Sequence, residues 1–255
     1  NKDAFQTLRD NYGINTIRLA MYTNKSEGYG PDAVNKVREG VKYATELGMY
    51  VIIDWHILND GNPNQHKSEA KKFFTKMSKK YGGQKNVIYE ICNEPNGNVT
   101  WNKQIKPYAK TIVKTIRKHS KNAVIVIGTP TWSQDVDVVA QSPLKGKNLM
   151  YALHFYAGTH KEWNQEKLKT AHKKGLPVMV TEFSICDASG NGALDKASGN
   201  QWLRLLDRYN ISYTAWSLCN KNESSALIAS TCSKTSGWTN GDLSAAGKWY
   251  FNKTK

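Results

Sequence analysis

The 255-residue sequence predicts an α/β fold of the (β/α)8 TIM barrel type, with the first strand absent from the chain. Three observations carry this expectation. Short apolar runs alternate with helical patterns, roughly 25 to 37 residues apart, which is the rhythm of strand and crossover helix. The runs are apolar almost throughout, as parallel strands covered on both faces must be. Polar and aromatic residues also gather at the same end of five of these runs, where a barrel builds its active site.

Taken in order, the chain opens with "NKDAFQTLRDNYG", a helical stretch that reads as the partner of a strand lying before it. The strand candidates that follow are "INTIRLAM", "MYVIIDW", "VIYEIC", "AVIVIG", "NLMYALHF", "LPVMVTEF" and "ISYTAW". Between the first two, Pro31 and Asp32 open a helix that Gly48 closes, with Val34, Val37, Val41, Ala44 and Leu47 along one face. "SEAKKFFTKMSKKYGG" is a second helix, with Ser68 as its expected N-cap and Gly82-Gly83 as its stop. No GxGxxG or Walker turn follows any run, which weakens the rival open sheet. No Pro- or Gly-rich linker divides the chain, so residues 1–255 are expected to form one domain.

The formal charge is +15, from 36 Lys and Arg against 21 Asp and Glu. The lysines are strewn over several helical stretches with no aromatic-interleaved patch, so they read as solvated faces rather than a nucleic-acid surface. No run approaches the ~18–20 apolar residues of a membrane span, and no signal peptide is visible in the polar opening. Cys92, Cys186, Cys219 and Cys232 form no CxxC zinc pattern. Cys92 reads as a buried small hydrophobe, and a disulfide among the other three stays open.

The chemistry lies at the run ends: Asp54-Trp55-His56, Asn93-Glu94, His154-Phe155-Tyr156, Thr181-Glu182 and Ala215-Trp216. Two glutamates in one mouth are what glycoside hydrolysis needs, one protonated to release the leaving oxygen and one ionised. Pro95 disfavours helix for Glu94 and holds it extended. A lone strand-end Glu would more simply pair with a neighbouring helix, and a lone His would more simply serve the core.

"VIYEICNEPNG", "MYVIIDWHILNDGNP", "GTPTWSQDV", "YALHFYAGTH", "VTEFSICDASGNG" and "WSLCNKNESSAL" together resemble the bacterial endoglucanases of glycoside hydrolase family 5, in the cellulose-acting subfamily. The resemblance runs from Ala4 to the C-terminus. It implies that Glu94 is the acid/base and Glu182 the nucleophile, with Arg18 holding Glu182 ionised. It further implies that Asn93 binds the sugar 2-hydroxyl, Tyr156 positions Glu182 and His154 sits near Glu94. His56 would touch the sugar before the scissile bond, with Tyr22 at the cleft wall. Trp216 would underlie the sugar at the cleavage point, often before a cis peptide, and Trp132 would stack on the leaving-group side. Lys221 and Glu223 would bind sugars toward the non-reducing end.

The implied activity is retaining, endo-acting hydrolysis of β-1,4-glucosidic bonds in cellulose and soluble β-glucan chains. It needs no cofactor and no metal. The chain is expected to be a secreted, extracellular monomer with no nucleic-acid or membrane partner. Another family 5 activity, on mannan or mixed-linkage glucan, is the nearest alternative. A truncated, inactive barrel that binds cello-oligosaccharides is the non-enzymatic one, and a metal hydrolase using Asp54, His56 and His154 is the remaining rival. Phe183 stands where many relatives have Trp, an exchange expected to be tolerated.

Overall fold

The computed structural model describes residues Asn1–Thr254. All seven apolar runs form strands: β1 (Thr16–Tyr22), β2 (Tyr50–His56), β3 (Val87–Glu90), β4 (Ile125–Ile127), β5 (Leu149–Tyr156), β6 (Val178–Ser184) and β7 (Tyr213–Ala215). They make one sheet in the order β1-β2-β3-β4-β5-β6-β7. The pairing is parallel, with Val51 opposite Val87, Tyr89 opposite Ile125 and Ile125 opposite Leu149. A doubly wound sheet reverses its strand order at a switch point; this one never does. The barrel class is therefore borne out, with seven strands among the described residues and helix α1 (Lys2–Tyr12) ahead of the first. The helices between strands are α2 (Ala33–Glu46), α3 (Lys67–Tyr81), α4 (Lys106–Arg117), the one-turn segments α5 (Pro130–Ser133, left-handed from Thr131 on) and α6 (Val136–Val139), α7 (Glu162–Lys173) and α8 (Lys196–Arg208), and α9 (Ala245–Thr254) follows β7. No helix among the described residues is long and apolar enough to cross a membrane.

The chain falls into two compact units. The larger is Arg18–Leu153 with Lys167–Met179. Its interior includes Ile52, Val126, Ala152 and Met179, one residue from each of four strands, all buried. α2 begins after Asp32, as expected, although the Asp32 side chain makes no capping bond. Gly48 follows its end with φ 69°, a left-handed conformation that costs glycine nothing. α3 begins two residues earlier than expected: His66 holds the N-cap position and Ser68 lies inside the first turn, exposed. The expected Ser68 cap is thus corrected. Along α3, Phe73, Phe74 and Met77 are buried while Lys71, Lys72, Lys76, Lys79 and Lys80 are exposed, so its basic residues do form a solvated face.

The smaller unit is Asn1–Ile17, His154–Glu166 and Val180–Lys255, described here to Thr254. Its interior is aromatic. Phe155 stacks on Trp202 at 4.0 Å and 8°, and Phe183 meets Phe155 at 5.1 Å, Tyr213 at 5.7 Å and Tyr250 at 5.8 Å. A ring at position 183 fills this cluster whether or not it carries an indole nitrogen. The Asn1 side chain accepts from the amide of Ala4 and caps α1. All four cysteines are free thiols, and burial pushes the Cys92 thiol well up.

Candidate active site

In the larger unit, the inward residues of β1, β2 and β3 build one polar network inside an apolar interior. Asp54 and His56 are two apart on β2 and so share a face. Arg18 Nε donates to Glu90 Oε2 at 2.7 Å and Nη2 to Glu90 Oε1 at 3.0 Å, a two-pronged pairing that suits the guanidinium plane. Nη2 also lies 3.0 Å from Asp54 Oδ2 and donates to Asn93 Oδ1 at 2.7 Å. Asp54, Glu90 and Asn93 are fully buried. Burial pushes the Asp54 carboxyl up, and the Arg18 guanidinium pulls against that shift. Such charges persist in an interior only when paired and hydrogen-bonded. The sequence reading assigned Arg18 to Glu182; within its own unit the arginine is held by Glu90, Asp54 and Asn93.

His56 Nδ1 lies 2.6 Å from Asp54 Oδ2. On the other side of the ring, His56 Nε2 lies 3.4 Å from Asn93 Nδ2. Asn93 Nδ2 also donates to the Ile57 carbonyl at 2.9 Å, so its amide is pinned at both ends. Tyr22 packs on His56 with ring centroids 4.4 Å apart. Tyr22 and Arg18 line one cavity of about 440 Å³ beside the start of α2.

β3 ends at Glu90, and Asn93-Glu94-Pro95 follows as a buried segment that bends at Asn93. The Asn93 amide donates to the Trp55 carbonyl at 3.0 Å, which continues the parallel pairing past the strand's end. Trp132 follows β4 in the same unit, its side chain 46% exposed. A guanidinium 3.0 Å from Asp54 disfavours a cation at that carboxylate, which works against the metal-hydrolase reading.

In the smaller unit, β5 and β6 carry the second group. Tyr156 Oη donates to Glu182 Oε1 at 2.7 Å, and Glu182 is only 5% exposed. His154 Nε2 lies 2.8 Å from Thr181 Oγ1, and Tyr156's amide donates to His160 Nδ1 at 2.8 Å. Trp216 follows β7, its amide donating to the Phe183 carbonyl at 2.8 Å, and the Trp216–Ser217 peptide is cis. Lys221 is exposed in the next loop. Glu223 accepts from Ser225 Oγ at 3.4 Å, and its amide donates to the Lys221 carbonyl at 2.9 Å.

Sequence reading missed Glu90, the main partner of Arg18. Its signal was visible: one charge inside an otherwise apolar strand, which burial tolerates only with a partner. It also passed over Asn96 and Ser133, which carry no such mark.

The cellulase profile, glycosyl hydrolase family 5, matches residues 1–222. The chain is 49% identical over 250 residues to an endoglucanase of Clostridium saccharobutylicum, covering 97% of this chain and 56% of that protein. It is 47% identical over 251 residues to Endoglucanase 5 of Pectobacterium carotovorum, covering 98% of this chain and 50% of that protein. The chain thus spans about half the length of these relatives. Among solved structures, the catalytic domain of a Thermobifida fusca endoglucanase in complex with cellotetraose superposes with a TM-score of 0.93 at 32% identity, covering 100% of this chain and 86% of that one. With a profile matched over most of its length and relatives near half identity, the chain belongs to glycoside hydrolase family 5.

Proposed function

We propose that the chain is a retaining endo-β-1,4-glucanase that cleaves cellulose and related soluble β-glucans, with Glu182 as nucleophile and Glu94 as acid/base. The observation that carries this reading is the 2.7 Å hydrogen bond from Tyr156 to Glu182. A donor on a buried carboxylate favours its charged form. That suits a group that must attack, and a glutamate kept merely for a salt bridge would not need it.

Glu182 attacks the anomeric carbon while Glu94 gives its proton to the glycosidic oxygen. The bond to the leaving sugar breaks and a glycosyl ester on Glu182 forms. Water then attacks that ester with Glu94 taking the proton, and Glu182 is released as carboxylate. Asn93, its oxygen held by Arg18, is the group we assign to the sugar 2-hydroxyl. His56 and Tyr22 line the approach to the scissile bond, Trp216 and Trp132 are stacking faces for pyranose rings, and Lys221 and Glu223 bind farther sugars. His154 supports the acid/base. No step calls for a metal or cofactor. The endoglucanase names of the relatives support a glucan over a mannan. We also read the chain as secreted, because a polymeric substrate does not enter cells, and as acting as a monomer.

The stereochemistry tests the mechanism. Proton NMR of a cello-oligosaccharide digest is expected to show the β-anomer of the new reducing end first, drifting to the equilibrium mixture. An α-anomer appearing first would replace the double displacement with an inverting reaction.

A further inference from the structure

Three consecutive non-glycine residues, Thr131 (φ 57°), Trp132 (φ 54°) and Ser133 (φ 57°), adopt left-handed backbone conformations. One such residue is uncommon; a run of three is strained and persists only where its surroundings hold it. Thr131 Oγ1 donates to Asp135 Oδ2 at 2.6 Å, and Lys167 Nζ holds Asp135 Oδ1 at 2.6 Å. The turn is therefore anchored at its outer end.

Its inner end grips the segment that carries Glu94. The Trp132 amide donates to the Pro95 carbonyl at 3.0 Å, and Ser133 Oγ donates to the Asn93 carbonyl at 2.6 Å. Ser133 Oγ also accepts from the Thr129 amide at 3.2 Å. The carbonyl of Glu94 itself accepts from Asn96 Nδ2 at 2.8 Å, and that nitrogen reaches the Leu58 carbonyl at 2.5 Å. Three successive carbonyls, of Asn93, Glu94 and Pro95, thus each have a dedicated donor. Gly128 lets β4's end come this close, since a Cβ there would lie 2.0 Å from the Cys92 carbonyl oxygen and 3.1 Å from that of Asn93.

We propose that Ser133 and Asn96 are positioning residues for proton transfer by Glu94, the left-handed turn fixing the backbone from which the acid/base projects. The strain then has a use. With residues 131–133 turned this way, a main-chain N–H and a side-chain O–H face the two carbonyls that flank Glu94. Displacing a reacting group by ~1 Å can cost about a hundredfold in rate, so a clamp on the backbone acts on the chemistry without touching the sugar.

This inference rests on Glu94 being the acid/base, and the leaving group tests both. Cellotetraose needs its leaving oxygen protonated; dinitrophenyl β-cellobioside, with a phenolate that departs unaided, does not. For Glu94→Ala, Ser133→Ala and Asn96→Ala we expect kcat/KM on cellotetraose to fall at least about tenfold. On the dinitrophenyl substrate it should change less than about twofold for all three. If Glu94→Ala shows this contrast while Ser133→Ala and Asn96→Ala do not, the positioning role is overturned and the acid/base reading stands. If Glu94→Ala loses both activities alike, the acid/base reading fails and takes the inference with it. Should Ser133→Ala not fold, Asn96→Ala, at a half-buried position, decides alone.

Discussion

Glu90 and Tyr156 are the residues on which the local chemistry turns. Glu90 answers the buried charge of Arg18 with two hydrogen bonds. Removing one member of a buried pair leaves the other uncompensated, so Glu90→Ala is expected to cost about 3–5 kcal/mol of unfolding free energy, read from the urea midpoint. A loss within experimental error would mean that Asp54 alone suffices for Arg18. Tyr156→Phe removes a hydrogen bond to a charged acceptor, worth about 1.5–3 kcal/mol. It should lower kcat/KM on cello-oligosaccharides by about 10- to 100-fold with the fold intact; an unchanged rate would show that Glu182 needs no such donor. At this scale the sequence was legible for residue type. Glutamates, histidines and tryptophans at strand ends stood out because burial makes polar groups there expensive. Their partners were less so: pairing Arg18 with Glu90 needs the register of β1, β2 and β3, which no local pattern carries.

Among the elements, α8 shows an N-terminus held by electrostatics. Asp195 caps it, accepting from the Ser198 amide at 2.8 Å and paired with Lys161. The Lys161 ammonium and the Ser198 amide hold the Asp195 carboxyl below the usual aspartate range. A folded-state pKa lower than the unfolded one stabilises the protein above about pH 4, and that gain fades as pH falls through the lowered value. Asp195→Ala should cost about 1 kcal/mol near neutral pH, measured by melting, and Asp195→Asn less. In both variants the melting temperature should also fall less steeply on acidification from about pH 5. An acid slope equal to that of the parent would remove Asp195 from the account. The strands were the easiest elements to read, since each rests on a run of apolar side chains. The turn at Thr131–Ser133 was the hardest, because left-handed backbone is signalled by glycine and none is present there. The misplaced Ser68 cap has a similar cause: several polar residues precede α3, and their order alone does not choose among them.

For the whole molecule, the rhythm of strand and helix foretold parallel strands but fitted a barrel and a doubly wound sheet alike. The polar and aromatic residues at five strand ends chose the barrel, and the sequential strand order bears that choice out. The +15 charge is the feature with the least bearing on the proposed chemistry. Glucans are uncharged, so kcat/KM on cellopentaose should vary less than about twofold between low salt and about 0.3 M, where surface charges are largely screened. A loss of several orders of magnitude over that range would instead mark counterion-dependent binding of an anionic polymer. The most direct test of the central claim is the product pattern from cellopentaose with this chain, beside its Glu182→Ala variant. Cellobiose and cellotriose from the parent, and neither from the folded variant, are the predicted result. No cleavage by the folded parent, or equal cleavage by the variant, would contradict it.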